Sequence, residues 1–525
     1  MKKLPLGIQT FEKIINEDLV YVDKTEYVFR LVEKGNYFFI SRPRRFGKSL
    51  LLSTLKSYFQ GKKDLFQGLK IYDLEKDWNT YPVVHIDYSI VEYKRGIATF
   101  EKSLIKHFKS IAAEFGVELE GDIVIDVFVG LIKELSRTFG QVVILVDEYD
   151  KPLVDLLGNE EKFAENRQLL QGLYGSIKGL DANLRFVMLT GVSRFAKVGV
   201  FSGMNNIEDI SLDDAYSGMV GFSTEELSEN FAEHFEAVRE KFEFEKDEMK
   251  ELYKTKYNGY SWDGKTKLYN PFSILSSLQE RNFRNYWFST GTPSFLVDAI
   301  KRQNFLPEKL EDIETDDLVG SSLNLRNFPI VPLLFQTGYL TIKKTFYDES
   351  FRQYYQLNYP NEEVRHAFLT QVSGSFLGES DMAVRPEAKD LRDALREERT
   401  GDFIKILQSF FADIPARLHI PKEAYYHSMT YMMLRLVGIT ALLEKETDKG
   451  RIDAVIEFAD KVYIVEFKFA QNKRVKKIST LSRQAMKQIE EMKYFEPYLT
   501  SGKRIILFGI GFLNKELSGE TKILQ

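Results

Sequence analysis

Two groups of residues in this chain have the types and spacing for phosphate chemistry. The first is Ser41 to Leu50, "SRPRRFGKSL", directly after the apolar run "YFFI". A phosphate-binding loop aims backbone N–H groups and a helix N-terminus at the anion, while Lys adds charge and Ser or Thr reaches Mg²⁺. Gly47, Lys48 and Ser49 suit those roles, and "YFFI" before and "GKSLLLSTLKSYF" after supply the strand–loop–helix setting. The usual pattern asks for another Gly five residues before Gly47, where this chain has Arg42. Pro43 stiffens that first half, and Arg42, Arg44 or Arg45 is expected to add a nucleotide or interdomain contact.

Downstream, "QVVILVDEYD" reads as a buried parallel strand, Val142 to Val146, that ends in Asp147-Glu148. At that edge Asp147 can hold the water shell of Mg²⁺ and Glu148 can orient or activate the attacking water. A third strand, "LRFVMLTGVSRF", carries Thr190 and Ser193 past its end, with Arg194 beside them. A polar side chain there can sense a γ-phosphate, and Arg194 can stabilise transition-state charge. Acidic or polar residues also simply end strands at a surface.

The second group is "LEKETDKGRIDAVIEFADKVYIVEFKFA". Two alternating runs, Arg451 to Phe458 and Lys461 to Phe469, flank Ala459-Asp460 and predict a hairpin. This register sets Asp453 across from Glu466 and Arg451 across from Lys468, all on one face. Opposed carboxylates repel unless a cation sits between them. A hard divalent ion such as Mg²⁺ would be held by Asp453 and Glu466, with Lys468 stabilising charge on a phosphate. An alternating strand that points Glu and Lys at water is the competing explanation, weakened by Asp453, by Gly450 and by the upstream acids Glu444 and Glu446. Past the hairpin, "AQNKRVKKIST" is a basic cluster able to track a phosphate backbone, or a solvated loop.

These residues need several scaffolds. A chain of 525 residues exceeds one hydrophobic core. Composition, 44% apolar and 28% charged, gives no support for long disordered regions, so most of the chain is expected to fold. The formal net charge of −5 means that nucleic-acid binding must come from local basic patches. With no cysteine, disulfides, thiol catalysis and thiolate zinc sites are excluded, which suits a reducing cytosol. No apolar run has the length of a membrane span, so a soluble, cytoplasmic protein without a membrane partner is expected.

The strands "YFFI", "VVHIDY", "VVILVD" and "RFVMLTG" alternate with helical patterns over residues 1–215, as in a parallel sheet covered by helices. Residues 216–290 read as a helical lid or connector opened by "STEEL", with Asn270-Pro271 starting a further helix. Within 291–380, two strands around a polar turn and a helix starting near Asn361 suggest a winged-helix-like module. The last domain is set at 381–525.

The segment "PLGIQTFEKIINEDLVYVDKTEYVFRLVEKGNYFFISRPRRFGKSLLLSTLKSYF" closely resembles the N-terminal domain of the bacterial AAA-ATPase-like family, whose members carry RPRRFGKS in place of the full loop pattern. The resemblance continues through "LVDEYDKP", "LTGVSRF", "YNGYSWDG", "YNPFSIL", "YWFSTGTP" and "LLFQTGYLTI", nearly the whole chain. It implies a P-loop NTPase domain that binds and hydrolyses ATP with Mg²⁺ through Lys48, Ser49, Asp147 and Glu148. From "YVDKT", Asp23 and Lys24 are offered to the nucleotide, although a helix cap at Asp23 or Thr25 explains those letters equally well. The C-terminal pattern resembles the PD-(D/E)xK nucleases, a restriction-endonuclease-like α/β fold. That family's helix Gln matches Gln488, with Gln484 one turn earlier, and its upstream acid matches Glu444, Glu446 or Glu423.

Two function classes follow. One is an ATPase that controls a Mg²⁺-dependent nuclease-like domain acting on DNA or RNA. The other is a nucleotide-dependent scaffold that grips nucleic acid or protein without cutting. Assembly into a homo-oligomer is compatible with either.

Overall fold

The computed structural model describes residues 1–194, 200, 204, 206–287, 310–316, 329–377, 386–413, 423–439, 441–447, 450–470, 477–513 and 515–524, of which 374–377, 386–388, 413, 423–425 and 441–447 as backbone only. By internal contacts it divides into two compact units. One comprises residues 1–295 and 312–364, the other 296–311 and 365–525.

The first unit is built on a parallel sheet of β1 (Tyr37–Ser41), β2 (Val83–Asp87), β3 (Val142–Asp147), β4 (Leu184–Gly191) and β5 (Glu208–Asp209), in the order β2-β3-β4-β1-β5. Every residue of β1 and β3 is buried, so both faces of the sheet must be covered, and runs such as Val142 to Val146 are apolar for that reason. Helix Lys48–Phe59 and the helices Phe11–Asn16 and Thr25–Lys34 form one covering group, and Ile97–Glu114, Val124–Phe139 and Glu160–Lys178 form another. The four expected strands are present. The short β5 was not expected: two acidic residues carry no period, and they pair only because β1 offers its edge.

After the sheet come helices Thr224–Asn230, Ala232–Phe242, Lys246–Tyr257 and Pro271–Glu280 around their own apolar cluster. The first opens on a complete capping box between Ser223 and Glu226. The last opens on Asn270, whose side chain accepts from the Phe272 and Ser273 N–H groups. A small antiparallel sheet follows, from β6 (Ile313–Thr315), β7 (Thr341–Tyr347) and β8 (Gln353–Asn358) in the order β6-β8-β7. Helix Glu362–Leu377 begins after it.

The second unit carries a mixed sheet of β9 (Ala441–Thr447), β10 (Gly450–Glu457), β11 (Lys461–Ala470), β12 (Arg504–Leu513) and β13 (Glu516–Ile523), in the order β13-β12-β11-β10-β9. Only β11 and β12 run parallel, and the helix Ser479–Met492 makes the crossover between them. Gly509 and Gly511 let that helix lie against the strand. A Cβ at Gly509 would come 2.7 Å from Met486 N, and one at Gly511 would come 2.6 Å from Leu481 Cβ.

Candidate functional site

In the first unit the phosphate loop joins β1 to helix Lys48–Phe59. Gly47 caps that helix at φ +94°, and Arg45 is also left-handed at φ +66°. Only glycine enters this region without steric cost, so Gly47 is the residue the turn requires. A cavity of about 480 Å³ opens at the loop, lined by Arg44, Arg45, Gly47, Lys48 and Ser49, and by Glu148 from the end of β3. Lys48 is buried, and its Nζ donates to the carbonyls of Arg42 (3.0 Å) and Pro43 (2.9 Å). Burial lowers its pKa, and the charges of Asp147, Glu148 and Asp150 work the other way.

Asp147 is buried at the end of β3, and its Oδ1 accepts from Thr190 Oγ1 at 2.6 Å and from the Glu148 N–H at 3.1 Å. Thr190, expected to sense a phosphate, is thus tied to the candidate metal ligand. Ser193 is engaged in the same way: its N–H (2.6 Å) and hydroxyl (2.5 Å) both donate to Asp150. Glu148 stands at φ +53°, and its carboxylate pairs with Lys151 at 2.9 Å. Lys151 also lines the cavity. Lys151 and Asp150 lie within "LVDEYDKP", but nothing in their types or spacing marks them apart from the Asp147-Glu148 pair.

Two residues offered to the nucleotide, Arg42 and Arg194, are engaged by protein partners in the structure. Arg42 has only 1% of its surface exposed and turns into the protein, donating to the carbonyls of Ser41, Ser211 and Tyr216. A side chain leaving a fully buried strand meets carbonyls rather than solvent, and Arg supplies enough donors for them. Arg194 is held by Asp209, with Nε and Nη2 at 3.1 and 2.9 Å from Oδ2, and lines no part of the cavity. The fifth strand, unseen in the sequence, supplies that aspartate. Arg45 stays at the cavity, its guanidinium 3.6 Å from the Phe272 ring centre. Asp23 is taken up by the backbone, accepting from the Thr25 N–H and hydroxyl and from the Lys70 N–H, whereas Lys24 lines the cavity and pairs with Glu226 at 2.5 Å.

In the second unit the β10–β11 register is the expected one from Ala454↔Val465 to Glu457↔Val462. It stops there. Asp453 is not paired with Glu466 in the ladder; its Oδ2 accepts the Phe467 N–H at 2.8 Å, and Arg451 pairs with Glu446 of β9 instead of Lys468. Glu466 is nonetheless close enough for the charge of Asp453 to act on it. Burial first, and then Asp453, push its carboxyl up to about 7, against the hydrogen bond from Lys468 at 2.9 Å. Glu466 is 1% exposed, and its Oε2 has no hydrogen-bond partner among the described residues. A buried carboxylate oxygen without a partner is costly unless a proton or a cation meets it, and the neighbouring acids Asp453 and Glu466 are of the oxygen-donor type that suits a divalent ion.

Among the described residues no group of three acidic or His side chains assembles as a metal cage. The side chains of Glu423, Glu444 and Glu446 and the basic residues 471–476 lie outside the described part, as does most of "YWFSTGTP". Gln488 lies on the crossover helix with its Nε2 3.5 Å from Tyr494 Oη, and Gln484 is exposed.

Comparison with known proteins agrees with this division. Residues 5–201 match the model of a predicted AAA-ATPase family, and 421–522 match a PD-(D/E)XK nuclease superfamily model. An uncharacterized protein in the vnfD 5'region of Azotobacter chroococcum mcd 1 is 36% identical over 521 residues, covering 97% of this chain and 96% of that protein. Among solved structures, Aeropyrum pernix ORC1 in complex with DNA gives a TM-score of 0.24 at 12% identity, over 66% of this chain and 91% of that one. The ORC2 protein of the same organism gives 0.27 at 10%, over 67% and 94%. Scores this low carry no argument. Among the described residues no helix is long and apolar enough to cross a membrane. The chain belongs to the AAA-ATPase-like family, with a PD-(D/E)XK nuclease superfamily domain at its C-terminal end.

Proposed function

We propose that the protein binds and hydrolyses ATP at the phosphate loop and thereby controls Mg²⁺-dependent cleavage of nucleic acid phosphodiesters by its C-terminal domain. The observation that carries the nuclease half is the bare, buried Oε2 of Glu466 beside Asp453, with the Lys468 ammonium 2.9 Å from the other carboxylate oxygen. Asp453 and Glu466 would hold the divalent ion, whose chemistry is to polarise the phosphodiester and lower the pKa of water. Lys468, bonded to Glu466, would stabilise charge that develops on the phosphate, and Gln488 is offered as the group that orients substrate or water.

The ATPase half is supported by Lys48, Ser49 and Glu148 around one cavity and by Asp147 at the strand edge. Lys48 Nζ would exchange its two carbonyl partners for phosphate oxygens, Ser49 and Asp147 would hold Mg²⁺, and Glu148 would orient the attacking water. Nucleotide control requires that ATP and ADP favour different states of the chain. The setting is cytoplasmic.

The test is a pair of assays on the full chain with Mg²⁺: ATP turnover for wild type and Lys48→Ala, and cleavage of DNA and RNA for wild type and Glu466→Ala. Each substitution is expected to abolish its own reaction. Cleavage that survives Glu466→Ala removes the assigned centre. Wild-type binding of nucleic acid without cleavage would favour the scaffold reading.

A further inference from the structure

The first half of the phosphate loop departs from the usual pattern, and each of its residues meets a partner from outside the loop. Arg42 lies with its guanidinium carbon 4.1 Å from the Trp262 ring centre. Pro43 abuts Gly338, where a Cβ would come 2.7 Å from the proline ring and where φ is +89°. The Arg44 carbonyl accepts from Asn270 Nδ2 at 3.4 Å, and Arg45 stacks on Phe272. Phe46 is fully buried, with Tyr260 and Trp262 edge-on at 4.8 and 5.2 Å. These partners belong to "YNGYSWDG", "YNPFSIL" and "LLFQTGYL", motifs for which the phosphate chemistry has no use.

Trp262 touches both ends of this stretch, Arg42 and Phe46, and only 7% of it is exposed. A loop with glycine at both ends takes its shape from free backbone torsions. Here Arg42 cannot do so, and the shape is imposed by packing. The carbonyls of Arg42 and Pro43 are also the two that hold Lys48 Nζ. Whatever fixes residues 42 and 43 therefore fixes where the ammonium waits.

We infer that Trp262 is a positioning residue for phosphate binding, acting through Arg42 and Phe46, and that Gly338 supports the same loop through Pro43. The inference rests on the loop being a nucleotide site. Misplacing a binding group by a fraction of an ångström to an ångström costs about ten- to a hundredfold. A buried cation–π contact and an edge-on aromatic contact are both lost in Trp262→Ala.

The test uses the full chain with ADP and Mg²⁺. Calorimetry on wild type, Trp262→Ala, Trp262→Phe and Gly338→Ala is expected to give a Kd raised about tenfold or more by Trp262→Ala and Gly338→Ala. The Phe variant, which keeps a ring for Arg42 and Phe46, should stay within about threefold of wild type. The chain has three tryptophans, so a Trp78→Phe/Trp287→Phe background leaves Trp262 as the reporter. Its emission should shift on ADP addition with the calorimetric Kd, and not at all when Lys48→Ala is added. A mere core role would leave that emission unmoved. If wild type binds ADP but Trp262→Ala binds within twofold of it, or the reporter stays silent at saturation, the inference is overturned and the nucleotide site stands. If wild type does not bind ADP, the nucleotide site itself is wrong.

Discussion

Glu148 and Glu466 are both carboxylates set where an ordinary surface glutamate would not be. Glu148 occupies the left-handed region, which costs a non-glycine residue about 1 kcal/mol or more, and keeps its carboxylate at the cavity mouth. Glu148→Gln is expected to lower ATP turnover at least about a hundredfold while ADP affinity changes less than about threefold, because a water-orienting group acts in the chemical step; parallel turnover and calorimetry check this. Thr190→Val removes the 2.6 Å donor to buried Asp147 and should cost about 1–3 kcal/mol of stability, read from urea unfolding at pH 7. The arrangement of these residues was legible in sequence: the types and order of Gly47, Lys48, Ser49, Asp147 and Glu148 pointed to one strand-edge site, and the structure brings Gly47, Lys48, Ser49 and Glu148 to one cavity. What was not legible is which polar groups are already spoken for. Arg194 looked free until β5 brought Asp209 to it, and Thr190 and Ser193 until β3 and its turn supplied Asp147 and Asp150. Pairing across strands far apart in the chain leaves no local pattern.

At the scale of elements, periodicity predicted the four longer strands of the first sheet and the β10–β11 register as far as Ala454↔Val465. It could not show that the ladder ends there and gives Asp453 to the Phe467 N–H. The glycines of "GIGF" were passed over, although they decide how closely the crossover helix approaches β12 beside Glu466 and Lys468. Gly509→Val should therefore destabilise the second unit by about 3 kcal/mol or unfold it, as thermal melting would show, with ADP binding by the first unit unchanged. A second element-level prediction concerns Glu363 at the start of helix Glu362–Leu377. It is fully buried and accepts from the Tyr286 and Trp287 N–H groups (2.5 and 3.0 Å) and the Ser273 hydroxyl (2.7 Å). Burial raises its pKa from 4.5 to about 7, although these hydrogen bonds oppose the rise. Between those values the folded chain keeps a proton that the unfolded chain has released. The group's contribution is thus complete below about pH 4.5 and is lost as pH rises through 7. Compared with Glu363→Gln, whose amide suits the same partners, wild type should lose about 3 kcal/mol between pH 5 and 8 in denaturant titrations; equal pH profiles for the two would refute this.

For the molecule as a whole, an AAA-ATPase-like domain and a PD-(D/E)XK nuclease superfamily domain in one chain matter more than either alone. The cavity at the phosphate loop sits in the first compact unit, and Glu466 with its unpartnered Oε2 in the second. A net charge of −5 gives no general attraction for nucleic acid, so substrate binding must rely on local groups such as Lys468. The central claim is that the nucleotide state governs cleavage at Asp453 and Glu466. Its most direct measurement is the cleavage rate of DNA and RNA with Mg²⁺, in ATP, in ADP and without nucleotide, for wild type, Lys48→Ala and Glu466→Gln. The account predicts wild-type rates that differ at least about tenfold between ATP and ADP, as a coupling of about 1.4 kcal/mol gives. Lys48→Ala should be indifferent to nucleotide, and Glu466→Gln inactive in every condition. Wild-type cleavage at one rate in all three conditions, or cleavage retained by Glu466→Gln, would contradict it.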